Sequence, residues 1–216
     1  MPKRVSFYSN TPDDTHCFQA ALRMVLKYFM PAQEYDFEKL DEMTDKKDGL
    51  WTWPIRGIIN LHKMGFQIID DDYVDLDALA KDPTDYLVKR YGKEVGEAQI
   101  KNSDLDSIVT ALKEYEILNI HRERIPTLEE IKSHIDNGYL VICNINSHVL
   151  SDIKGYAGHF VVIYDYDQKG FWLHDPGLPP IESRYVSFEK FTQSWEYPDE
   201  RSKNILALRL KNYLKN

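Results

Sequence analysis

The chain has 216 residues, 43% of them hydrophobic, and carries 35 acidic against 27 basic side chains for a formal net charge of −8. That length and apolar share suffice for a single domain over residues 1–216 without disulfide staples, and the acidic balance excludes a phosphate backbone as main partner, since affinity there comes from clustered Lys and Arg. No apolar run reaches the roughly eighteen residues of a membrane span, so neither nucleic acid nor membrane is an expected partner.

Residues 4–8 read as a short strand, and no stretch of signal-peptide character precedes the polar segment around Asp13 and Asp14. Phe18, Ala21, Leu22, Val25, Leu26 and Phe29 then recur at three and four, predicting a buried helix over 17–30 that stops before Pro31. Asp13, Asp14 and Thr15 are its candidate N-caps. A helical turn over 36–40 follows, and the loop carrying Trp51 and Trp53 enters a helix over 55–64. Gly65 ends that helix and hands over to a strand over 66–69. Asp70, Asp71 and Asp72 read as a solvated turn.

Residues 73–122 alternate charged and apolar residues at helical spacing and predict a helical insertion. Thr127 and Glu130 form a capping-box pattern for a helix that Gly138 ends. From there the pattern turns to strands over 139–145, 158–165 and 170–174, the last two joined by a tight turn at 167–170. A helix over 188–195 and a strand over 205–210 complete an α+β class, with an N-terminal helical half packed on an antiparallel sheet.

Two cysteines, Cys17 and Cys143, stand far apart with no CxxC pattern, which suggests neither a disulfide nor a zinc ribbon and fits a reducing, cytoplasmic compartment. Cys143 sits inside an apolar strand and reads as core. Cys17 instead opens a helix, where unpaired N–H groups and the helix dipole favour an anion. A nucleophilic thiolate needs a base, and the base needs an orienting group. Of seven histidines, His159 begins an apolar strand behind Gly158, and the predicted hairpin brings it within reach of Asp175 on the paired strand. His174 alternates with Asp175 and faces the other side of the sheet. His16 should point away from the site, and His62, His121 and His134 read as surface residues. A metal site drawn from His148, His159 and Asp175 lacks any tight ligand motif, so no metal or other cofactor is expected. Trp51, Trp53 and Tyr156 are candidates for a substrate cleft, with Asn144 and Asn146 as weaker ones.

The run Asp13-Asp14-Thr15-His16-Cys17-Phe18-Gln19, followed far downstream by Gly158-His159-Phe160 and by His174-Asp175-Pro176-Gly177, resembles the papain-like cysteine peptidases of the bacteriocin-processing, double-glycine-leader group. The likeness covers residues 5–70 and 126–180 in order and leaves 73–122 as an insertion. It implies the papain-like fold and amide hydrolysis through an acyl-enzyme, with Cys17 as nucleophile, His159 as base and Asp175 as orienter, acting on a peptide or small amide. Two departures stand out. Relatives carry glutamine six residues before the cysteine to stabilise the oxyanion, whereas position 11 is threonine. That leaves Asn10 and Thr11 as oxyanion candidates, with Gln19 a weaker third. Relatives also commonly continue Cys-Gly-Pro where this chain has Cys17-Phe18-Gln19. An acyltransferase using the same three residues, or a binding module that has lost turnover, are the alternatives.

Overall fold

The computed structural model describes residues 4–211. Helix α1 (Cys17–Phe29) buries the whole of its predicted apolar stripe and lies against strand β4 (Gly158–Tyr166). Helices α2 (Phe37–Thr44) and α3 (Ile55–Lys63) pack with it into one core layer that includes Leu40, Ile58 and Ile59. The turn expected at 36–40 thus extends into a full helix, because Asp36 caps it through the Lys39 N–H and Leu40 is fully buried on its inner side.

The sheet has seven strands. Besides β4 they are β1 (Phe66–Asp72), β2 (His121–Arg122), β3 (Leu140–Asn146), β5 (Gly170–Asp175), β6 (Ile181–Ser187) and β7 (Asn204–Leu210), in the order β2-β1-β7-β3-β4-β5-β6. Every neighbouring pair is antiparallel except β1 with β2, so the sheet is mixed and not wholly antiparallel. Its second face is covered by α7 (Leu128–Asp136) and α9 (Phe188–Trp195), whose Ile131, Ile135, Phe191 and Trp195 join Val141, Cys143 and Val161 in a second core. The Thr127–Glu130 capping box forms in full. A one-turn helix, α8 (Ser147–Leu150), follows β3. Residues 4–8 form no ladder strand. They are held instead by a bond from His174 Nε2 to the Val5 carbonyl, at 2.9 Å.

Between β1 and β2 the chain forms α4 (Leu76–Lys81), α5 (Pro83–Asn102) and α6 (Leu105–Ile117). Helix α5 breaks at Gly92, where φ is 75°, a conformation that glycine adopts without steric penalty. No helix among the described residues is long and apolar enough to cross a membrane.

The acidic run at 70–72 is the clearest departure from expectation, because it extends β1 instead of forming a solvated turn. Asp71 is fully buried. Its carboxylate takes a two-bond clamp from Arg122, Nη2 to Oδ2 at 2.6 Å, and a further bond from Arg124 at 3.2 Å. Those partners lie fifty residues downstream, beyond any local pattern. Arg122 and Arg124 reach in from the surface and stay partly solvated, so removing the acid costs their charged hydrogen bonds and does not strand a buried cation. Asp71→Ala is therefore expected to lower the unfolding free energy by about 2 kcal/mol in urea titrations, and a loss under a few tenths would contradict this account.

Candidate active site

Cys17 is the first residue of α1, and no side chain caps that helix end. The expected caps are engaged within their own loop: Asp14 accepts from Asn10 Nδ2 at 2.7 Å, Asp13 from the Thr11 and Thr15 hydroxyls. The first-turn N–H groups are left facing outward with the positive end of the helix dipole, beside the thiol. Asn10 is nearly buried and fastens this loop. Its Oδ1 accepts the Thr11 and His16 N–H groups at 2.9 and 2.8 Å, and its own N–H donates to the Pro176 carbonyl at 2.8 Å.

Register in the β4–β5 hairpin pairs Val162 with His174. Continuing it down the strands leaves His159 beside the Asp175 end of β5. His159 Nε2 donates to Asp175 Oδ1 at 2.7 Å, both groups being buried. The same oxygen accepts the Gly177 N–H at 3.0 Å, and Oδ2 accepts Arg184 Nη1 at 2.7 Å. Arg184 also donates to the Leu150 carbonyl at 2.8 Å. A Cβ at position 177 would lie 3.0 Å from the Asp175 oxygen and 3.3 Å from the His159 ring, so the turn beside the imidazole is closed to larger residues. Since Nε2 is taken by Asp175, Nδ1 is the ring nitrogen left for Cys17, whose sulfur is close enough to act on the imidazole. Burial alone would lower the imidazole pKa. The Asp175 and Cys17 contacts outweigh it and raise the value to about 10. Burial likewise works to raise Asp175, yet His159, the Gly177 N–H and Arg184 bring it down to about 2.

A cleft with a cavity volume of about 110 Å³ opens over Cys17. Trp51, Trp53 and Tyr156 all line it, as do Asn144 and Gly158. The segment after Gly92 in α5 forms one wall. Gln99 donates to the Tyr156 hydroxyl at 2.9 Å, Glu94 accepts from Tyr197, and the Trp51 N–H bonds the Asn102 carbonyl. Tyr197 stacks on Tyr156 with ring centroids 6.0 Å apart.

Several sequence candidates lie elsewhere. Neither Asn10 nor Thr11 lines this cleft; the Thr11 hydroxyl turns to Asp13 and His16. Gln19 is fully buried, with its amide donating to Thr44 and Thr52. His16 points to Thr11 and Asp41. His174 is buried between the Val5 carbonyl and the Ser183 N–H, on the far side from Asp175 as its alternation requires. Asn146 is buried and shapes the turn ahead of Gly158 through bonds with Gly155, His148 and Ala157. His121 is not a surface residue. It bonds Asp70 and the Val74 carbonyl, and although burial opposes it, the Asp70 contact raises its pKa. Among the described residues no group of three or more His, Cys, Asp or Glu side chains is placed to hold a metal. Arg184 escaped the sequence reading because it lies on β6, whose exposed edge pattern carries no hydrophobic alternation.

Comparison with known proteins places this geometry in context. The family model described as "Peptidase_C39 like family" matches residues 3–202. No curated protein matches the sequence. Among solved structures, the fold is similar to the peptidase domain of Streptococcus ComA, a bi-functional ABC transporter involved in a quorum-sensing pathway. That likeness has 15% identity and a TM-score of 0.52, and covers 96% of this chain and all of that one. It is similar also to a candidate C39-like peptidase from Bacillus anthracis, with 17% identity and a TM-score of 0.51, covering 96% of this chain and 95% of that one.

Proposed function

Because the chain belongs to the Peptidase C39-like family, we propose that it is a cysteine-dependent hydrolase of peptide or small amide bonds, with Cys17, His159 and Asp175 as its catalytic residues. The observation that carries this reading is the buried His159–Asp175 bond, with Cys17 acting on the same imidazole from an uncapped helix end that faces the cleft. Cys17 and His159 form a thiolate–imidazolium pair, with Asp175 and Arg184 holding the charged ring. The sulfur attacks the substrate carbonyl carbon, and the electron pair of the C=O bond moves onto oxygen. That oxyanion sits on the Cys17 N–H at the positive helix end. Collapse expels the amine, which takes its proton from His159 Nδ1, and leaves a thioester on Cys17. Water then attacks, His159 accepts its proton, and the acid and free thiolate are released.

Limiting iodoacetamide followed by peptide mass mapping tests the first premise. Cys143 is fully buried in β3, where burial pushes its thiol pKa well up. Cys17 should be alkylated at least tenfold faster at neutral pH. Equal labelling of the two cysteines, or none at Cys17, would overturn the proposal.

A further inference from the structure

Cys17 lies at one end of the cleft, and a carboxylate lies at the other. Asp70 and Asp72 alternate onto the cleft side of β1, and both line the cavity. Asp70 is neutralised locally by the Tyr115 hydroxyl and by His121 at 3.3 Å. Asp72 takes part in no ion pair among the described residues. Arg90, the nearest guanidinium on α5, is committed elsewhere. Its Nε donates to the Tyr73 carbonyl at 3.1 Å, its Nη2 to the Arg201 carbonyl, its Nη1 lies 3.6 Å from the Asp199 carboxylate, and its Cζ lies 4.5 Å from the Tyr91 ring centroid. The Tyr86 and Tyr91 hydroxyls, also near Asp72, are themselves shifted upward by burial and supply no positive charge.

The path between the two ends is built. Asp72 stands opposite Asn204 in the β1–β7 ladder. Asn204 exchanges bonds with the Asn144 backbone at 2.7 and 2.9 Å. Asn144 stands opposite Phe160, which packs on Phe18, the residue after Cys17. The floor therefore crosses four strands, about 14 Å at the usual inter-strand spacing. Its walls are aromatic, with Trp51, Trp53, Tyr91, Tyr156 and Tyr197 around it. A carboxylate with no cation bonded to it, set among π faces, is the chemistry that recognises an ammonium or guanidinium group.

We propose that Asp72 is the anionic base of a subsite for a cationic side chain, of the lysine or arginine kind, on the substrate cut at Cys17. An extended chain advances about 3.3 Å per residue, so with a long side chain covering the remaining span the basic residue lies two to three positions from the scissile amide. This inference rests on the hydrolase reading above. Burial, reinforced by Asp70 and opposed by His121 and Arg90, pushes the Asp72 carboxyl up to about 7, so the subsite carries its full charge only above neutral pH.

The test is calorimetric binding to the Cys17→Ala protein, which removes turnover from the measurement. The probes are blocked alanine tripeptides with one lysine at each position in turn, and the same peptides with norleucine, which keeps the aliphatic stem and lacks the charge. At one position lysine should bind at least tenfold tighter than norleucine at pH 8, and Asp72→Asn in the same background should erase that preference. Equal affinities at all positions overturn the subsite, as does a lysine preference that survives Asp72→Asn. The lysine–norleucine comparison is made on one protein, so it stands even if Asp72→Asn misfolds. Iodoacetamide labelling of the wild-type protein separately reports failure of the hydrolase reading.

Discussion

Cys17→Ala is expected to reduce hydrolysis by three orders of magnitude or more, measured as product formation from a peptide pool by mass spectrometry. Removing the sulfur removes the only atom at the helix end able to form the thioester. The second cysteine gives no rescue, since Cys143 is fully buried among Val141, Val161 and Ile163 in the core behind the sheet. Alanine keeps the helix, its open first turn and the cleft walls, so the variant should melt within a few degrees of the parent. Ligand binding without turnover is the pattern this predicts. Full activity in the alanine variant would remove the thiol from the chemistry altogether. Unchanged cellular function would instead favour a fold kept for binding alone.

Asp175→Asn should leave the fold intact and lower kcat by roughly a hundredfold to ten-thousandfold with little change in KM. The carboxylate accepts three hydrogen bonds, from His159, Gly177 and Arg184. An amide oxygen in the place of Oδ1 can still accept from His159 and Gly177, but the NH2 then faces Arg184 and the negative charge beside the imidazolium is gone, so the charged ring loses its electrostatic support. The pH dependence has a fixed sign. Asp175 falls from an ordinary 3.8 to about 2 in the folded protein, so its contribution to stability is complete above 3.8 and disappears as pH falls toward about 2. In the asparagine variant that acid-limb dependence should vanish, together with the fast alkylation of Cys17. An Asp175→Asn protein with parental kcat would show that the His159–Asp175 bond is structural only.

Much of the candidate site's geometry was legible because its groups sit at element boundaries that local chemistry marks. Cys17 opens an amphipathic helix, His159 follows a glycine at a strand start, and Asp175 precedes a proline at a strand end, so a hairpin count sufficed to pair the last two. What escaped was set by loop contacts that no periodic pattern marks and by contacts distant in sequence. The acids at 13 and 14 look like caps until Asn10, Thr11 and Thr15 occupy them. The acids at 70–72 look solvated until Arg122, Arg124 and His121 arrive from beyond three helices. Strand β6 is an edge strand, largely exposed along its length, and an edge made of polar residues hides its period from any apolar count while protecting against sheet-to-sheet pairing.

Strand β2 runs parallel to β1, with Asp70 opposite His121 and Asp71 opposite Arg122. The polypeptide therefore departs from the sheet and returns to a neighbouring point, and the ion-paired Asp71 rivets the junction. Everything between is a closed excursion. Doubling the length of such a loop costs only about 0.6 kcal/mol in closure entropy. The helices in between are anchored twice, at that junction and through Leu79, Leu87, Ile108 and Leu112, which share one core with α1 and α3, so the part free to vary in length is the exposed connection between them, while the strands bearing His159 and Asp175 keep their register.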